Sequence, residues 1–328
     1  MKYAAVLGHP IAHSLSPILH NAAYQALGLD WQYTAIDVEP ADLPTLLAEK
    51  LLGRDDWAGF SVTMPLKPEI VPWLTSGQVQ KTGAQAEISP LVTATGAANT
   101  LVKIPKDTGL AGHQTRLLAE NTDVAGIVEA LREVIRHGPV EKIAILGSGA
   151  TAASALAAAM ELGAELVAVY ARPSDSQKQL REVAARLGIT EQKIHAAKAI
   201  YRNTELVERD LAEAAKELPD FDAVISTMPK HAADAIAANL THVGGALLDV
   251  VYDPRPTDLL AAWSALGGAI VGGERMLLHQ AARQVELMTD CPAPIAAMDV
   301  ALQASLGGYT ARPLGAEVLG NLNRRGPL

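Results

Sequence analysis

The chain of 328 residues contains a single cysteine, Cys291. One cysteine excludes an intramolecular disulfide and a metal site built from several thiolates. His9 and His13 lie close together near the N-terminus, but no cysteine or paired carboxylate completes a ligand set, so we expect no metal. Aromatic residues are also scarce, at 4%, and we expect those present to be largely buried.

Basic residues are also fewer than acidic ones. Lysine and arginine number 27 against 36 aspartates and glutamates, which gives a formal net charge of −9. This balance disfavours a nucleic-acid partner. A small anionic ligand is compatible with it, because one arginine or lysine at contact distance outweighs a diffuse acidic surface.

Long hydrophobic runs are missing too. No stretch reaches the ~18 uninterrupted apolar residues of a membrane span, and the first apolar run is too short for a signal peptide. We therefore expect a cytoplasmic enzyme without a membrane partner. At roughly 100–200 residues per domain, the length indicates two domains. The sequence does not distinguish a monomer from a homodimer.

The most informative segment is a glycine turn in the middle of the chain, with the pattern G-x-G-x-x-A at 147–152. It follows an apolar strand and opens a helix of small residues. Such glycines let the backbone approach a dinucleotide pyrophosphate, and the helix N-terminus offers free N–H groups. An ordinary tight turn of an α/β domain is the simpler alternative. The expected cofactor contacts are Gly147, Ser148, Gly149, Ala150 and Thr151.

The residues after the turn alternate between strand and helix patterns. The predicted strands are 142–146, 165–170, 193–197, 222–225, 246–250 and 269–271. The predicted helices are 150–162, 175–187, 204–217, 231–238 and 257–266. Six strands with interleaved helices predict an α/β fold with a doubly wound Rossmann sheet.

The residues before the turn form a region of domain size. Its predicted strands and helices also alternate, which indicates a largely parallel sheet. Ser16 is predicted to be the N-cap of a helix that has Pro17 at its first position. We place a substrate domain at 1–123 and the Rossmann domain at 124–273. Helices over 274–305 are expected to return to the first domain, followed by a tail at 306–328.

The end of the second Rossmann strand discriminates between cofactors. NAD-binding domains place an acidic residue there to hold the ribose hydroxyls. This strand ends instead in Ala171-Arg172. A guanidinium can bind a 2′-phosphate, which a carboxylate would repel. We therefore expect NADP(H), with Arg172 on the 2′-phosphate, although Arg172 could also be a solvated residue at a helix start.

Polar clusters rich in hydroxyl, amide and carboxylate groups follow the apolar strands of the first domain, where ligands of α/β sheets bind. Such groups suit a polyol. Three such clusters lie in Gly8-His-Pro-Ile-Ala-His-Ser-Leu-Ser-Pro17, Ser61-Val-Thr-Met-Pro-Leu-Lys67 and Asn121-Thr-Asp123, and a fourth, Gly96-Ala-Ala-Asn99-Thr100, opens the next strand.

Together with Asp249-Val-Val-Tyr252 and Met276-Leu-Leu-His-Gln280, these motifs resemble those of the shikimate dehydrogenase family, in the same order over about residues 3–290. The resemblance implies reduction of 3-dehydroshikimate to shikimate with NADPH, in the biosynthesis of chorismate and aromatic amino acids. It implies Lys67 as the catalytic acid/base with Asp123 as its partner, and Val250 and Gly273 beside the cofactor. The implied substrate-binding residues are Ser14, Ser16, Thr63, Lys67, Asn99, Asp123, Tyr252 and Gln280.

The chemistry of a ketone reduction independently suits these residues. Negative charge develops on the ketone oxygen, and a cation that stabilises it and supplies a proton lowers the barrier. Lysine suits the task because its pKa can be tuned by burial. The Ser14 and Ser16 hydroxyls, at a helix N-terminus, would bind the carboxylate of the substrate.

Simpler roles exist for several of these residues. Ser16 and Asp123 could be helix caps, Asn99 a turn residue, Lys67 a surface lysine and Tyr252 part of the core.

The motifs also depart from the family. Ser61 stands where the family usually has asparagine, and Arg275 adds a positive charge for which the sequence suggests no purpose. Two other functions stay open at this point. One is a quinate/shikimate dehydrogenase using NAD, and the other is a metabolite-sensing regulator without turnover on the same scaffold.

Overall fold

The computed structural model of the chain describes residues 1–81, 84–104, 115–135, 139–172, 175–189 and 204–307. It is an α/β structure, as the sequence predicts, and each of its two sheets has six strands. Within the described residues, no helix is long and apolar enough to cross a membrane.

The first sheet has the strand order β2-β1-β3-β5-β6-β4. Its strands are β1 (Lys2–Gly8), β2 (Trp31–Asp37), β3 (Trp57–Val62), β4 (Gln85–Ile88), β5 (Thr100–Ile104) and β6 (Arg116–Glu120). The sheet is largely parallel, but β5 runs antiparallel to both β3 and β6. The sequence predicts strands at 3–7, 31–37, 59–63 and 97–103 in this region. It does not predict β4 and β6, because both are short and bury few side chains.

The helices around this sheet are α1 (Ser16–Ala26), α2 (Leu43–Leu46) with a π-helical turn (Leu47–Leu52), α3 (Lys67–Thr75), α4 (Gln78–Lys81), α5 (Pro90–Thr95) and α6 (Asp123–Val134). The predicted cap of α1 is wrong. Leu15 holds the cap position and Ser16 is the first helical residue. The hydroxyl of Ser14 accepts the backbone N–H of Ser16 at 3.3 Å, so Ser14 satisfies a donor that the helix leaves open.

The second sheet is parallel throughout and has the order β12-β11-β10-β7-β8-β9. Numbered from its own first strand, this is the 3-2-1-4-5-6 order of a Rossmann domain. Its strands are β7 (Lys142–Leu146), β8 (Leu166–Tyr170), β9 (Glu205–Arg209), β10 (Ala223–Ser226), β11 (Ala246–Asp249) and β12 (Ala269–Gly272).

One predicted element of this sheet is wrong. The helix expected over 204–217 is replaced at its start by β9, which pairs in parallel with β8. Glutamate and leucine favour helix locally, but pairing along β8 and burial of Leu206 decide the conformation. The strand predicted at 193–197 lies outside the described residues.

The remaining helices include two at the C-terminal end that return to the first sheet. They are α7 (Ala150–Leu162), α8 (Asp175–Arg186), α9 (Ala214–Glu217) between the 3-10 turns Leu211–Glu213 and Leu218–Asp220, α10 (Asp234–Asn239), α11 (Asp258–Ala265), α12 (Gly273–Thr289) and α13 (Ile295–Ser305). Leu278 of α12 and Met298 of α13 share one buried cluster with Val6, Leu19 and Val102 of the first domain. The predicted return of the C-terminal helices is therefore confirmed. Most of the predicted tail lies outside the described residues.

Candidate active site

A cavity of about 370 Å³ lies between the two sheets. It is lined by loops that follow strands of both sheets and by residues of α1, α3, α6, α7 and α12. Every residue predicted to hold the substrate lines it, and Thr151, Val250 and Gly273 from the predicted cofactor set join them. The substrate set comprises Ser14, Ser16, Thr63, Lys67, Asn99, Asp123, Tyr252 and Gln280.

Lys67 and Asp123 form an ion pair in the lining of this cavity. Lys67 is the first residue of α3 and Asp123 the first residue of α6, so Asp123 does not act as the cap of its helix. Lys67 Nζ donates to Asp123 Oδ2, and the side chains are 16% and 7% exposed. Partial burial strengthens their attraction relative to a pair in open water.

Asn99 holds the carboxylate of this pair in place. Its Nδ2 donates to Asp123 Oδ1 at 2.8 Å. Its Oδ1 accepts the backbone N–H of Thr122 and the hydroxyl of Thr100, both at 2.8 Å. Both ends of the amide are therefore used, which fixes the orientation of Asn99 and, through it, that of Asp123.

A second buried polar network includes two further residues of the cavity lining, Ser61 and Gln284. Gln284 Oε1 accepts the Ser61 hydroxyl at 2.8 Å, and Gln284 Nε2 donates to Thr100 Oγ1 at 3.0 Å. Tyr33 donates its hydroxyl to Ser61 Oγ at 2.5 Å. Ser61 is thus held between two partners, and this network joins the Asn99 group through Thr100.

His20 closes the network on the side away from the cavity. Its Nε2 lies 3.2 Å from Gln284 Oε1, and its ring stacks on Tyr33 with centroids 3.9 Å apart. Burial lowers the pKa of His20 to about 3, so its imidazole is neutral at physiological pH. Sequence reasoning missed His20, Tyr33 and Gln284. The position of Gln284 one helical turn after Gln280 was the available signal.

The N-terminus of α1 forms another part of the cavity wall. Ser14 and Ser16 line it, and the helix dipole there favours an anion. Beside them, His9 Nδ1 lies 2.5 Å from Asp37 Oδ1, and this carboxylate raises the pKa of His9. In the parts of the chain that the structure describes, no three His, Cys, Asp or Glu side chains are arranged to hold a metal ion.

The glycine turn joins β7 to α7 as predicted. Gly147 has a φ of +104°, and a Cβ there would lie 2.7 Å from Thr227 Oγ1. Gly149 caps α7 with an extended backbone, and a Cβ on it would meet no atom within 4 Å. The backbone at Gly149 is therefore open to a close ligand, which is the geometry that a pyrophosphate requires. These residues fit a dinucleotide.

Arg172 is exposed just beyond the end of β8, and no carboxylate precedes it in that strand. Arg209 of β9 lies in register with Tyr170 of β8, so a second arginine stands at the same edge of the sheet. Sequence reasoning could not find it, because it assigned helix to that segment.

Gly273 meets the end of β11 at very close range. A Cβ on Gly273 would lie 2.1 Å from the backbone oxygen of Val250. Glycine is therefore required where α12 begins, and both residues line the cavity.

Comparisons with known proteins agree with this architecture. The family model "Shikimate dehydrogenase substrate binding domain" matches residues 6–101. The model "Shikimate 5'-dehydrogenase C-terminal domain" matches residues 273–303. A relative from Moorella thermoacetica, named shikimate dehydrogenase (NADP(+)), is 31% identical over 94% of this chain and 95% of its own length.

Solved structures of the same family superpose on the chain. Shikimate dehydrogenase of Mycobacterium tuberculosis is 36% identical, with a TM-score of 0.73 over 93% of this chain and 100% of that chain. Shikimate 5-dehydrogenase of Thermus thermophilus, in complex with NADP(H) and shikimate, is 27% identical, with a TM-score of 0.69 over 93% of this chain and 100% of that chain. The chain therefore belongs to the shikimate dehydrogenase family.

Proposed function

We propose that the chain is an NADP-dependent shikimate dehydrogenase, which reduces 3-dehydroshikimate to shikimate in aromatic amino-acid biosynthesis. The observation that carries this function is the Lys67–Asp123 pair, placed in a cavity between a polar substrate wall and the glycine turn. The names and bound ligands of the relatives support the same substrate and cofactor.

The residues that would hold NADPH surround the end of β7 in the second sheet. The backbone from Gly147 to Thr151 would bind the pyrophosphate, and Arg172 would pair with the 2′-phosphate. The carbonyl end of Val250 and the backbone of Gly273 would border the nicotinamide. When bound, NADPH supplies the hydride that the ketone carbon receives.

Lys67 would act at the ketone oxygen. As the ketone becomes an alcohol, negative charge develops on that oxygen, and the Lys67 ammonium stabilises the charge and transfers a proton to it. Lys67 is left as a neutral amine, which regains a proton from solvent. Asp123 keeps Nζ in place throughout, because its own carboxylate is fixed by Asn99 at 2.8 Å. In shikimate oxidation the proton moves in the opposite direction.

The rest of the cavity would orient the substrate. Ser14 and Ser16 would bind its carboxylate at the N-terminus of α1, where the dipole favours an anion. Thr63, Asn99, Asp123, Tyr252 and Gln280 would meet its hydroxyl groups. Directed bonds of this kind reject an analogue that lacks a hydroxyl more strongly than an apolar pocket would.

A nicotinamide absorbance assay with purified protein tests this function. Shikimate and quinate are each combined with NADP⁺ and NAD⁺, and we expect the shikimate and NADP⁺ pair to give the highest kcat/KM. A preference for quinate with NAD⁺ would instead identify a quinate dehydrogenase. Absence of turnover in all four combinations, together with calorimetric binding of shikimate, would identify a sensor.

The assembly and location of the protein stay predictions. We expect a monomer or a homodimer in the cytoplasm, with no nucleic-acid partner because the net charge is −9. Light scattering coupled to gel filtration would determine the oligomeric state.

A further inference from the structure

Four charged or titratable side chains meet in the protein interior, outside the cavity. Arg275 is fully buried, and its neighbours Glu133, Asp299 and His279 have side chains 13%, 8% and 4% exposed. The proposed chemistry uses none of them, and the sequence offered no purpose for Arg275. We call these residues the Arg275 cluster.

The Arg275 cluster connects three helices. Arg275 Nε and Nη2 donate to the carboxylate of Glu133, each at 2.8 Å, which forms a two-pronged contact between α12 and α6. Arg275 Nη1 lies 2.5 Å from Asp299 of α13. His279, one turn after Arg275, lies 2.6 Å from Glu133 through its Nε2. The carboxylate of Glu133 is thus held by two residues of α12.

The two helices that this contact joins both carry residues of the proposed site. Asp123 begins α6, while Gly273 begins α12, which also holds Gln280. A Cβ on Gly126 would lie 2.8 Å from the backbone oxygen of Met276, so the helices approach closely there. Glu133 meets Arg275 about two turns further along α6, so the contact between the helices extends over at least that length.

These contacts assign a role to Arg275 and Glu133. We infer that they are positioning residues, which fix the register of α12 against α6 and so the placement of Gly273 and Gln280 relative to the Lys67–Asp123 pair. The side chain of Asn99 reaches a residue of each of the two helices. Its Nδ2 lies 2.8 Å from Asp123 Oδ1 and 3.4 Å from Gln280 Oε1, so it contacts both helices.

A polar contact suits this task better than an apolar one. Apolar packing is not directional and tolerates small shifts along a helix axis. A guanidinium that bonds a carboxylate at two points accepts one geometry, and a shift would leave buried charges without partners. The cluster is therefore expected to fix register rather than to supply stability.

The test compares three variants of Arg275 and Glu133 with one control. Arg275→Met removes the two-pronged contact with Glu133. Arg275→Lys keeps the positive charge but cannot bond the carboxylate through two guanidinium nitrogens. The double variant Glu133→Leu with Arg275→Met replaces both charges by apolar groups, and Asp299 keeps its bond from Gln303 at 3.2 Å. The control is Arg283→Met, an exposed arginine of the same helix that pairs with Glu286.

Each protein is measured by thermal melting, by steady-state shikimate oxidation, and with shikimate deuterated at the carbon that is oxidised. Calorimetry gives the dissociation constant of shikimate without cofactor. We expect Arg275→Met and the double variant to lose about tenfold or more in kcat with a larger deuterium isotope effect, because misplacement slows hydride transfer. We expect KM and the dissociation constant to change about threefold or less, Arg275→Lys to recover part of kcat, and Arg283→Met to match the parent.

The inference rests on the proposed function, and the two can fail separately. A parent protein that does not oxidise shikimate would contradict the function. A parent that is active, with a double variant that keeps the parent's melting temperature, kcat and isotope effect, would overturn the positioning role. A loss of kcat that only follows a loss of folded protein in all three variants would also overturn it.

Discussion

The two sides of the cavity are built in different ways. On the substrate side, side chains from distant parts of the chain bond one another, as Asn99 does with Asp123 and Gln284 with Ser61. On the cofactor side, the key positions are glycines, and the backbone forms the surface at Gly149 and Gly273. A side-chain network loses hydrogen bonds when a polar atom is removed. A backbone surface instead loses its room for a ligand when an atom is added. The two sides should therefore respond to opposite kinds of substitution.

The largest effect is expected on the substrate side, from Lys67→Ala. Loss of the group that accepts the hydroxyl proton should lower kcat for shikimate oxidation by about 10³-fold, within the usual range for a positioned acid or base. Stopped-flow and steady-state absorbance measure this. Lys142→Ala, an exposed lysine of β7, is the matched control. Equal turnover in the two variants would contradict the assignment of Lys67.

On the cofactor side, Arg172→Asp should change the preference between cofactors. Loss of a charge-assisted contact, together with repulsion of the 2′-phosphate, should reduce the NADP-to-NAD ratio of kcat/KM by about 10–100-fold. The same assay with both cofactors measures the ratio. Arg209→Asp tests whether the second arginine at this edge contributes. A ratio that Arg172→Asp leaves unchanged would argue against a role for Arg172 at the 2′-phosphate.

Adding one methyl group tests the backbone surface directly. In Gly149→Ala the new Cβ meets no protein atom, so folding should be unaffected. It would occupy the space of the pyrophosphate, and we expect NADP⁺ to bind about tenfold more weakly by calorimetry, or ~1.4 kcal/mol. Gly147→Ala, at a φ of +104°, should in contrast lower the free energy of unfolding by about 1–2 kcal/mol. Parental NADP⁺ affinity in Gly149→Ala would show that the turn does not approach the pyrophosphate.

The smallest effect at neutral pH concerns His20, behind the substrate wall. Its pKa is about 3 when folded, against 6.5 for an ordinary histidine, so the unfolded chain binds a proton first as the pH falls. Stability from His20 is therefore present above pH 6.5 and is lost as the pH falls towards 3, by at most ~1.4 kcal/mol per pH unit. Urea unfolding of the parent and His20→Gln between about pH 7 and 4 should show a shallower slope in the variant. Parallel slopes would contradict a neutral buried His20.

The sequence predicted the glycine turn and the substrate residues that line the cavity, but it missed the network around Gln284. The turn from Gly147 to Thr151 is a local pattern, in which neighbouring residues carry the whole signal. The network around Gln284 joins residues 264 positions apart, such as His20. Only the register of the folded helices and strands brings them together. Similarly, β9 is an edge strand that depends on β8 for its conformation, and its own residues favour helix.

The shared cluster that joins α12 and α13 to the first sheet has a consequence for synthesis on the ribosome. Met298 and Leu302 pack in one cluster with Val6 and Leu19, but they are made about 280 residues later. The strands of the second sheet are complete by Gly272. The domain made second can therefore fold first, while the domain made first keeps an apolar face open until α12 and α13 have been made. A chain that stalls before α12 would expose this face and be prone to aggregation.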